Sequence, residues 1–276
     1  MDANPKVKPA RRLSPAIEEA SSGGEDRQFS MNLARGLEVL RAFTAAAPVL
    51  TNRAISDRTG LPKATVSRLT YTLTAFGYLR QDEAGAYRLG AAVLSLAHPV
   101  LGGMRLRQLA RPVLQELASA TGCTVNLATQ ERVQAIYIDS LRSDLANPYL
   151  PDVGSLSPLL HSAIGRALVL AHQGRQREQL LNRIKLSDPA AYPTGLEYLQ
   201  ADEALFRAEG YCRARGPWLS DIDAIATYIP LPLSVDPAAI NCTLSKQANK
   251  QIDLAKLAPM LTAAAKRIAV LHATST

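Results

Sequence analysis

Apolar residues begin to recur at helical spacing just after Ser30. Leu33, Leu37, Leu40 and Phe43 predict a first helix, and Pro48 lies beyond its end. Ahead of it, residues 1–29 are polar and hold Pro5, Pro9, Pro15, Gly23 and Gly24, so they read as a disordered arm. Thr51 is placed to cap a short helix over 52–59, because its hydroxyl can accept an orphan backbone N–H. Gly60 stops that helix, and Leu61 leads into Pro62, which suits a first helical position. A third helix is predicted over 62–75. Val66, Leu69 and Leu73 form its apolar stripe, while Lys63, Ser67, Thr70, Tyr71 and Thr74 point largely the other way. Gly77 ends it. Two short strands follow over 78–80 and 86–88, joined by Gln81-Asp82-Glu83-Ala84-Gly85. Helix, helix, tight turn, helix and hairpin predict a winged helix-turn-helix over 30–89.

The pattern then changes. A helix over 89–96 links this module to the rest, and Pro99, Gly102 and Gly103 mark a boundary within a linker segment 90–104. An amphipathic helix is predicted over 105–121 with Leu106, Leu109, Val113, Leu114 and Leu117 inward. Strand-like runs follow at 124–129, 134–140 and, less clearly, 147–150. An apolar helix over 161–172, a polar one over 175–184 and a short one ending at Gly210 come next. Strands over 224–233 and 239–244 precede a closing helix over 253–272. Pro230 and Pro232 suggest an edge or a bulge in the first of these strands. The class is α+β, with a mixed or antiparallel sheet covered by helices on one face.

A length of 276 residues fits one large domain or two modest ones, and 47% hydrophobic with 20% charged residues is a globular composition. No run is apolar and long enough to span a membrane. The first 29 residues carry five acidic and five basic side chains and no apolar core, so they are not a signal peptide. A soluble, cytoplasmic protein is expected. Cys123, Cys212 and Cys242 are odd in number and far apart, which excludes a disulfide scaffold, and with four histidines no metal module is written. No cofactor motif is present. Aromatics at 5% argue against stacking on single strands.

A net charge of +7 permits a polyanionic partner without requiring one. The predicted module carries six basic and three acidic residues between Arg53 and Arg88. Lys63, Thr65, Ser67, Arg68 and Tyr71 lie on or beside the exposed face of the third helix, where base edges and phosphates of double-stranded DNA would be met. Arg53 and Arg58 on the preceding helix can reach the backbone, and Arg80 and Arg88 in the wing can meet the adjacent groove. Tyr71 fits half-buried core equally well. The carboxylates of Asp82 and Glu83 argue against deep insertion of the wing tip.

Four runs carry a resemblance: Leu33-Ala34-Arg35-Gly36-Leu37-Glu38-Val39-Leu40, then Arg58 to Leu69 (RTGLPKATVSRL), then Phe76-Gly77-Tyr78-Leu79 and Tyr87-Arg88-Leu89-Gly90. They resemble the bacterial IclR family of transcriptional regulators. Further on, the run Pro158 to Ala167 (PLLHSAIGRA) resembles the start of that family's central ligand-domain helix, and Glu209-Gly210-Tyr211 its later turn. The likeness covers about residues 30 to 272. It implies a winged helix DNA-binding domain, a linker helix, a GAF-like effector domain over 105–276, homodimers or dimers of dimers, and control of catabolic operons. Two departures stand out. Leu160 occupies the place where relatives often have a histidine, with His161 shifted by one. The segment 218–232 carries Pro230 and Pro232 and lacks the usual hairpin glycine.

An effector site needs an apolar concavity with a few converging polar groups. A helix beginning near Leu160 offers backbone N–H donors for a small anion, with Ser162, Ala163 and Ile164 compact enough for close approach. His161, Asn126, Tyr137, Asp223, Tyr228 and Cys242 complete the candidate set. His161 also fits a simple surface histidine, Cys242 a small buried hydrophobe and Trp218 a loop anchor. Alternation does not assign a face to Asn126, but a polar group placed inward must find a partner. Apolar walls, few polar groups and no arginine in the helix start until Arg166 favour a small, weakly polar organic or aromatic acid. Two other classes stay open on the residues. One is a winged-helix protein-interaction module with a ligand-free oligomerisation domain. The other is an enzyme, for which no nucleophile elbow, phosphate loop or metal spacing is found. The linker helix, with Ala92, Val93, Leu96 and Ala97, is either an inter-subunit surface or packed within one chain.

Overall fold

The computed structural model describes residues 29–142, 151–216, 221–245 and 253–275. Residues 1–28 of the predicted arm, the strand at 147–150 and Trp218 fall outside the described residues. The chain divides into two compact units at Gly102/Gly103.

The first unit contains α1 (Met31–Arg41), α2 (Asn52–Thr59), α3 (Lys63–Ala75), β1 (Leu79–Gln81), β2 (Tyr87–Leu89) and α4 (Ala92–Gly103). Val39, Phe43, Leu50, Ile55, Leu61, Val66 and Leu79 form its core. Each fully buried side chain of this size contributes about 1.5–3 kcal/mol. The turn between α2 and α3 is held as the sequence predicts. The Thr51 hydroxyl accepts from the Ala54 N–H, and Gly60 sits at φ 70°, where a side chain would be strained. The Ser56 hydroxyl donates to the Leu61 carbonyl at 2.6 Å beneath the turn. β1 and β2 pair antiparallel, setting Arg80 opposite Arg88, and Leu50 exchanges two backbone hydrogen bonds with Tyr87.

Three expectations for this unit change. Leu33 and Leu37 are 64% and 52% exposed, so the inner face of α1 is Val39 with Phe43 beyond it. Thr70 is buried rather than outward, because its hydroxyl donates to the Val66 carbonyl and needs no water. Thr74 is half-buried. The linker helix runs through Pro99 to Gly103 instead of ending before it, and it buries no residue.

The second unit contains α5 (Arg105–Thr121), β3 (Thr124–Glu131), β4 (Gln134–Leu141), β5 (Leu156–Pro158), α6 (Ala163–Ala171), α7 (Gly174–Ser187), α8 (Tyr192–Glu209), β6 (Cys212–Arg213), β7 (Ile222–Tyr228), β8 (Ala238–Ser245), a 3-10 turn (Leu254–Leu257) and α9 (Ala258–Thr274). The strands form one antiparallel sheet in the order β5-β4-β3-β8-β7-β6. Helices cover both faces rather than one. Val125, Leu127, Ile138, Ile225, Ile240 and Cys242 pack with α5 and α9. Ala128, Ala135, Tyr137, Ala224, Ala226 and Ala239 pack with α6, α7 and α8. The small residues on this second face let α6 lie close to the strands. Gly165 makes the same allowance at the start of α6, where a β-carbon would stand 2.5 Å from the Leu159 backbone.

Elsewhere α8 is an 18-residue helix, not a short one. Its opening Pro193 and Gly195 hide it in the sequence. Pro230 and Pro232 follow β7 in the connection to β8 and are not in a strand. Asp139 is buried and accepts from Arg111 Nη1 at 2.6 Å and 2.8 Å, which ties α5 to β4.

Candidate nucleic-acid interface and ligand cavity

On α3 the burial pattern separates two faces. Val66 and Thr70 point into the core. Lys63, Ser67, Arg68 and Tyr71 are exposed, and Thr65 is half-buried. Tyr71 is 77% exposed, so it is not core. The Ser67 hydroxyl accepts from Asn52 Nδ2 at 3.0 Å, which fixes the start of α2 against α3 and orients the presented face. Lys63, Arg68 and Arg80 have no ion pair among the described residues. The other expected cations are partly engaged. Arg58 Nη1 donates to the Ala42 carbonyl at 2.9 Å, so this side chain caps the end of α1 and does not lie free for phosphate. Arg53 lies 3.8 Å from Asp57 and Arg88 3.5 Å from Asp82, both loosely paired at the surface.

Beside this face runs an apolar groove of about 1050 Å³ lined by Leu33, Leu37, Leu40, Leu69, Tyr71 and Leu96, among others. α4 adds exposed Leu94 and Val100, 71% and 55% accessible. Sequence reading placed Leu33 and Leu37 inside because periodicity finds a stripe without saying what covers it.

In the second unit a cavity of about 30 Å³ lies between the start of α6 and the sheet. Among the candidate effector residues, Tyr137, His161, Ser162, Ala163 and Ile164 line it. Its volume suits about two water molecules. Ser162 caps α6: its hydroxyl donates to the Pro158 carbonyl at 2.8 Å and accepts from the Gly165 N–H at 3.1 Å. Its side chain is therefore spent on the backbone, and the Ala163 and Ile164 N–H groups have no acceptor among the described residues. Burial pushes the Tyr137 phenol above its ordinary range, while hydrogen bonds with Ser157 and Asn241 oppose the rise, so it is a neutral donor or acceptor here.

The remaining candidates lie elsewhere. Asn126 is fully buried and does not line the cavity. Its Nδ2 donates to Asn241 Oδ1 at 2.8 Å and its Oδ1 accepts from the Ser140 hydroxyl, so it supports Asn241, which does line it. Leu160 is core and faces a separate 210 Å³ cavity on the far side of His161. The His161 ring reaches the Ala191 carbonyl at 3.1 Å and meets the Tyr198 ring edge-on. Asp223 alternates away from the cavity and lies 3.6 Å from Arg213. Tyr228 stacks on Phe206 with centroids 5.0 Å apart. Cys242 sits in the core under α5 and α9, where a hydrogen bond with Cys123 and burial push its thiol well up, leaving it protonated and inert.

Sequence reading missed Ser157, Ala214, Arg215, Ile222, Ala224, Asn241 and Thr243 on the cavity wall. It also missed an ion cluster. Arg166 and Asp202 are both fully buried, with Arg166 Nε donating to Asp202 Oδ2 at 2.7 Å. Arg166 further donates to the Leu160 and Arg213 carbonyls. Arg215 Nε donates to Asp202 Oδ1 at 2.7 Å. No local pattern joins these residues, which lie on α6, on α8 and just past β6.

The first unit thus defines a winged helix-turn-helix protein with wing-like strands, followed by an α/β unit with a small cavity between the start of α6 and the sheet. The IclR helix-turn-helix domain matches residues 32–83, and the bacterial transcriptional regulator IclR C-terminal domain matches residues 98–270. The chain belongs to the IclR family of bacterial transcriptional regulators. It is 33% identical to the crystal structure of an IclR family transcriptional regulator from Brucella abortus, with a TM-score of 0.76 over 94% of this chain and 98% of that one. It is 32% identical over 213 residues to the Pca regulon regulatory protein of Pseudomonas putida, covering 74% of this chain and 68% of that protein. An IclR homolog from Microbacterium hydrocarbonoxydans, solved in complex with 4-hydroxybenzoate, is 27% identical with a TM-score of 0.65 over 88% of this chain and 99% of that one. The match spans only about half of two other curated relatives, 56% of TsaQ1/TsaQ2 from Comamonas testosteroni and 54% of XynR from Escherichia coli. Among the described residues no helix is long and apolar enough to cross a membrane, and no group of three His, Cys, Asp or Glu is placed to hold a metal.

Proposed function

We propose that this chain is a cytoplasmic, sequence-specific DNA-binding regulator of a catabolic operon that responds to a small organic or aromatic acid. The observation that carries it is the exposed face of α3, where Lys63, Ser67, Arg68 and Tyr71 stand out while Val66 and Thr70 anchor the helix. In this reading α3 enters the major groove, Ser67, Arg68 and Thr65 meet base edges, and Lys63, Arg53, Arg80 and Arg88 meet phosphates. One such helix makes too few base contacts for high specificity, so two copies act together. The exposed Leu33, Leu37, Leu94, Leu96 and Val100 supply an apolar face for a homodimer, which the second unit can extend to a dimer of dimers.

The second unit acts as a GAF-like effector domain over 105–276. Its ligand is held between the Ala163 and Ile164 N–H groups, Asn241, Thr243 and the apolar Ile164, Ile222 and Ala224. The relative solved with 4-hydroxybenzoate supports an aromatic acid. In the present conformation the cavity takes a carboxylate head but no ring, so an aromatic acid binds with widening of its walls. The test is fluorescence anisotropy of the full chain on duplexes selected from a random pool. Tight binding to one symmetric sequence, shifted by an added acid, is expected. Equal affinity for every duplex, or none, overturns the reading.

A further inference from the structure

The ion cluster beneath the cavity is unbalanced. Asp202 is the only carboxylate that Arg166 and Arg215 are paired with among the described residues, and the neighbouring Arg213 is matched by Asp223. Two guanidinium groups therefore share one carboxylate, leaving one excess positive charge. The two arginines are not equivalent. Arg166 is fully buried, and its donors are satisfied by Asp202, the Leu160 carbonyl and the Arg213 carbonyl. Arg215 is about one-third exposed, lines the cavity, and spends only its Nε–H on Asp202. Its two terminal amino groups have no acceptor among the described residues. A guanidinium carries five N–H donors in a rigid fork that matches a carboxylate in a two-point contact.

We infer that Arg215 is the anion anchor of the cavity and that the cluster selects a ligand carrying a single negative charge. This rests on the reading of the second unit as an acid-binding domain, and adds which residue recognises the acid and how many charges it bears. A monocarboxylate docking on the outer edge of Arg215 makes the cluster neutral. A dicarboxylate leaves a second charge to be desolvated against the apolar Ile164 and Ile222 with no cation to match it, and a cationic ligand meets like charge. Asp202 acts as a positioning residue: through Nε it fixes the plane of the Arg215 fork, and Arg166 holds Asp202 in turn. The same geometry explains why Arg166, though nearer in sequence to the helix start, does not touch the ligand.

The experiment uses the full chain and calorimetric titration with acetate, benzoate, benzamide, terephthalate and benzamidine, on the wild type, Arg215→Gln and Arg215→Lys. Glutamine can still donate to Asp202 Oδ1, and unchanged circular dichroism with a thermal midpoint within a few degrees of the wild type certifies the fold. The wild type should bind acetate or benzoate at least tenfold tighter than benzamide, terephthalate or benzamidine. Arg215→Gln should lose at least tenfold for the monocarboxylates and little for benzamide, and Arg215→Lys should recover part of the loss. Monocarboxylates binding the wild type and Arg215→Gln equally would overturn the anchor while leaving the acid-sensing function standing. A preference for terephthalate or benzamidine would overturn the charge rule. Failure of every monocarboxylate to bind the wild type would overturn both this inference and the acid reading.

Discussion

Asp202→Asn should strongly destabilise the second unit, because it strands the buried Arg166. It keeps the shape of the side chain and removes its charge. Arg166, with no exposed surface, then holds a buried positive charge with no counter-charge, and its Nε–H faces a weaker acceptor. Removing one partner of a buried pair costs roughly 3–5 kcal/mol, most of it the penalty of the stranded ion. Arg215→Gln breaks a contact with the same Asp202, yet it should cost under about 1 kcal/mol. Arg215 is partly hydrated and Asp202 keeps Arg166 and the Arg213 N–H. For a domain of 150–250 residues each kcal/mol moves the midpoint by about 2–4 °C, so Asp202→Asn should lower the melting of the second unit by roughly 6–20 °C and Arg215→Gln by at most a few degrees. Scanning calorimetry of the full chain, following the transition of the second unit, reads both. Equal shifts for the two variants, or a loss under about 1 kcal/mol for Asp202→Asn, would refute the view that Arg166 is a desolvated charge whose counter-charge is Asp202.

Four further outcomes are expected. Arg68→Ala should weaken operator binding by more than about 1 kcal/mol and relax one base position if the contact is bidentate to a base; if it is to phosphate, affinity falls for all sequences and the salt slope shrinks by about one. Leu33→Glu with Leu96→Glu should leave the protein monomeric in sedimentation equilibrium where the wild type sediments as the proposed dimer, and equal masses for the two would remove that face from the interface. Gly165→Ala should destabilise the second unit by about 1–3 kcal/mol in urea, because its β-carbon meets the Leu159 backbone at 2.5 Å; a neutral result would mean the helix start yields freely. His172 is held below its ordinary 6.5 by burial and by the nearby Arg183. Its folded form therefore binds fewer protons than the unfolded chain, so stability should fall as pH drops from 6.5 towards the lowered value. His172→Gln should remove that part of the pH dependence, and an identical profile in the variant would contradict the assignment.

The winged helix was legible because its signals are local. Thr51 caps three residues ahead, Gly60 takes the left-handed turn, and Gly85 closes the wing, each within one short stretch of chain. The burial of particular side chains was less so. Leu33 and Leu37 have the right period for a core, but no element of the described unit covers them. Thr70 reads as polar, yet satisfies its hydroxyl on its own helix and can be buried. The start of α6 was read two to three residues early, near Leu160, with Ser162 as a ligand contact; its hydroxyl instead caps the helix three residues on. The opposite wall of the cavity was not legible. Asn241 meets Asn126 across 115 residues of chain, and Arg215 is assigned its role by Asp202 on another element. Cys242 and Asp223 were misplaced by the same gap. Strand alternation says that neighbours face opposite ways, but only the tertiary packing of α6 against the sheet says which way is the cavity.

The measurement that tests the central claim most directly is selection of bound duplexes from a random pool by the full chain, repeated with Arg68→Ala. The account predicts enrichment of a two-fold symmetric site whose half-sites are centred one helical turn apart, about 34–36 Å, and loss of that enrichment in the variant. A pool that stays random, or a site that emerges unchanged with Arg68→Ala and Lys63→Ala alike, would contradict the assignment of α3 as the helix that reads DNA.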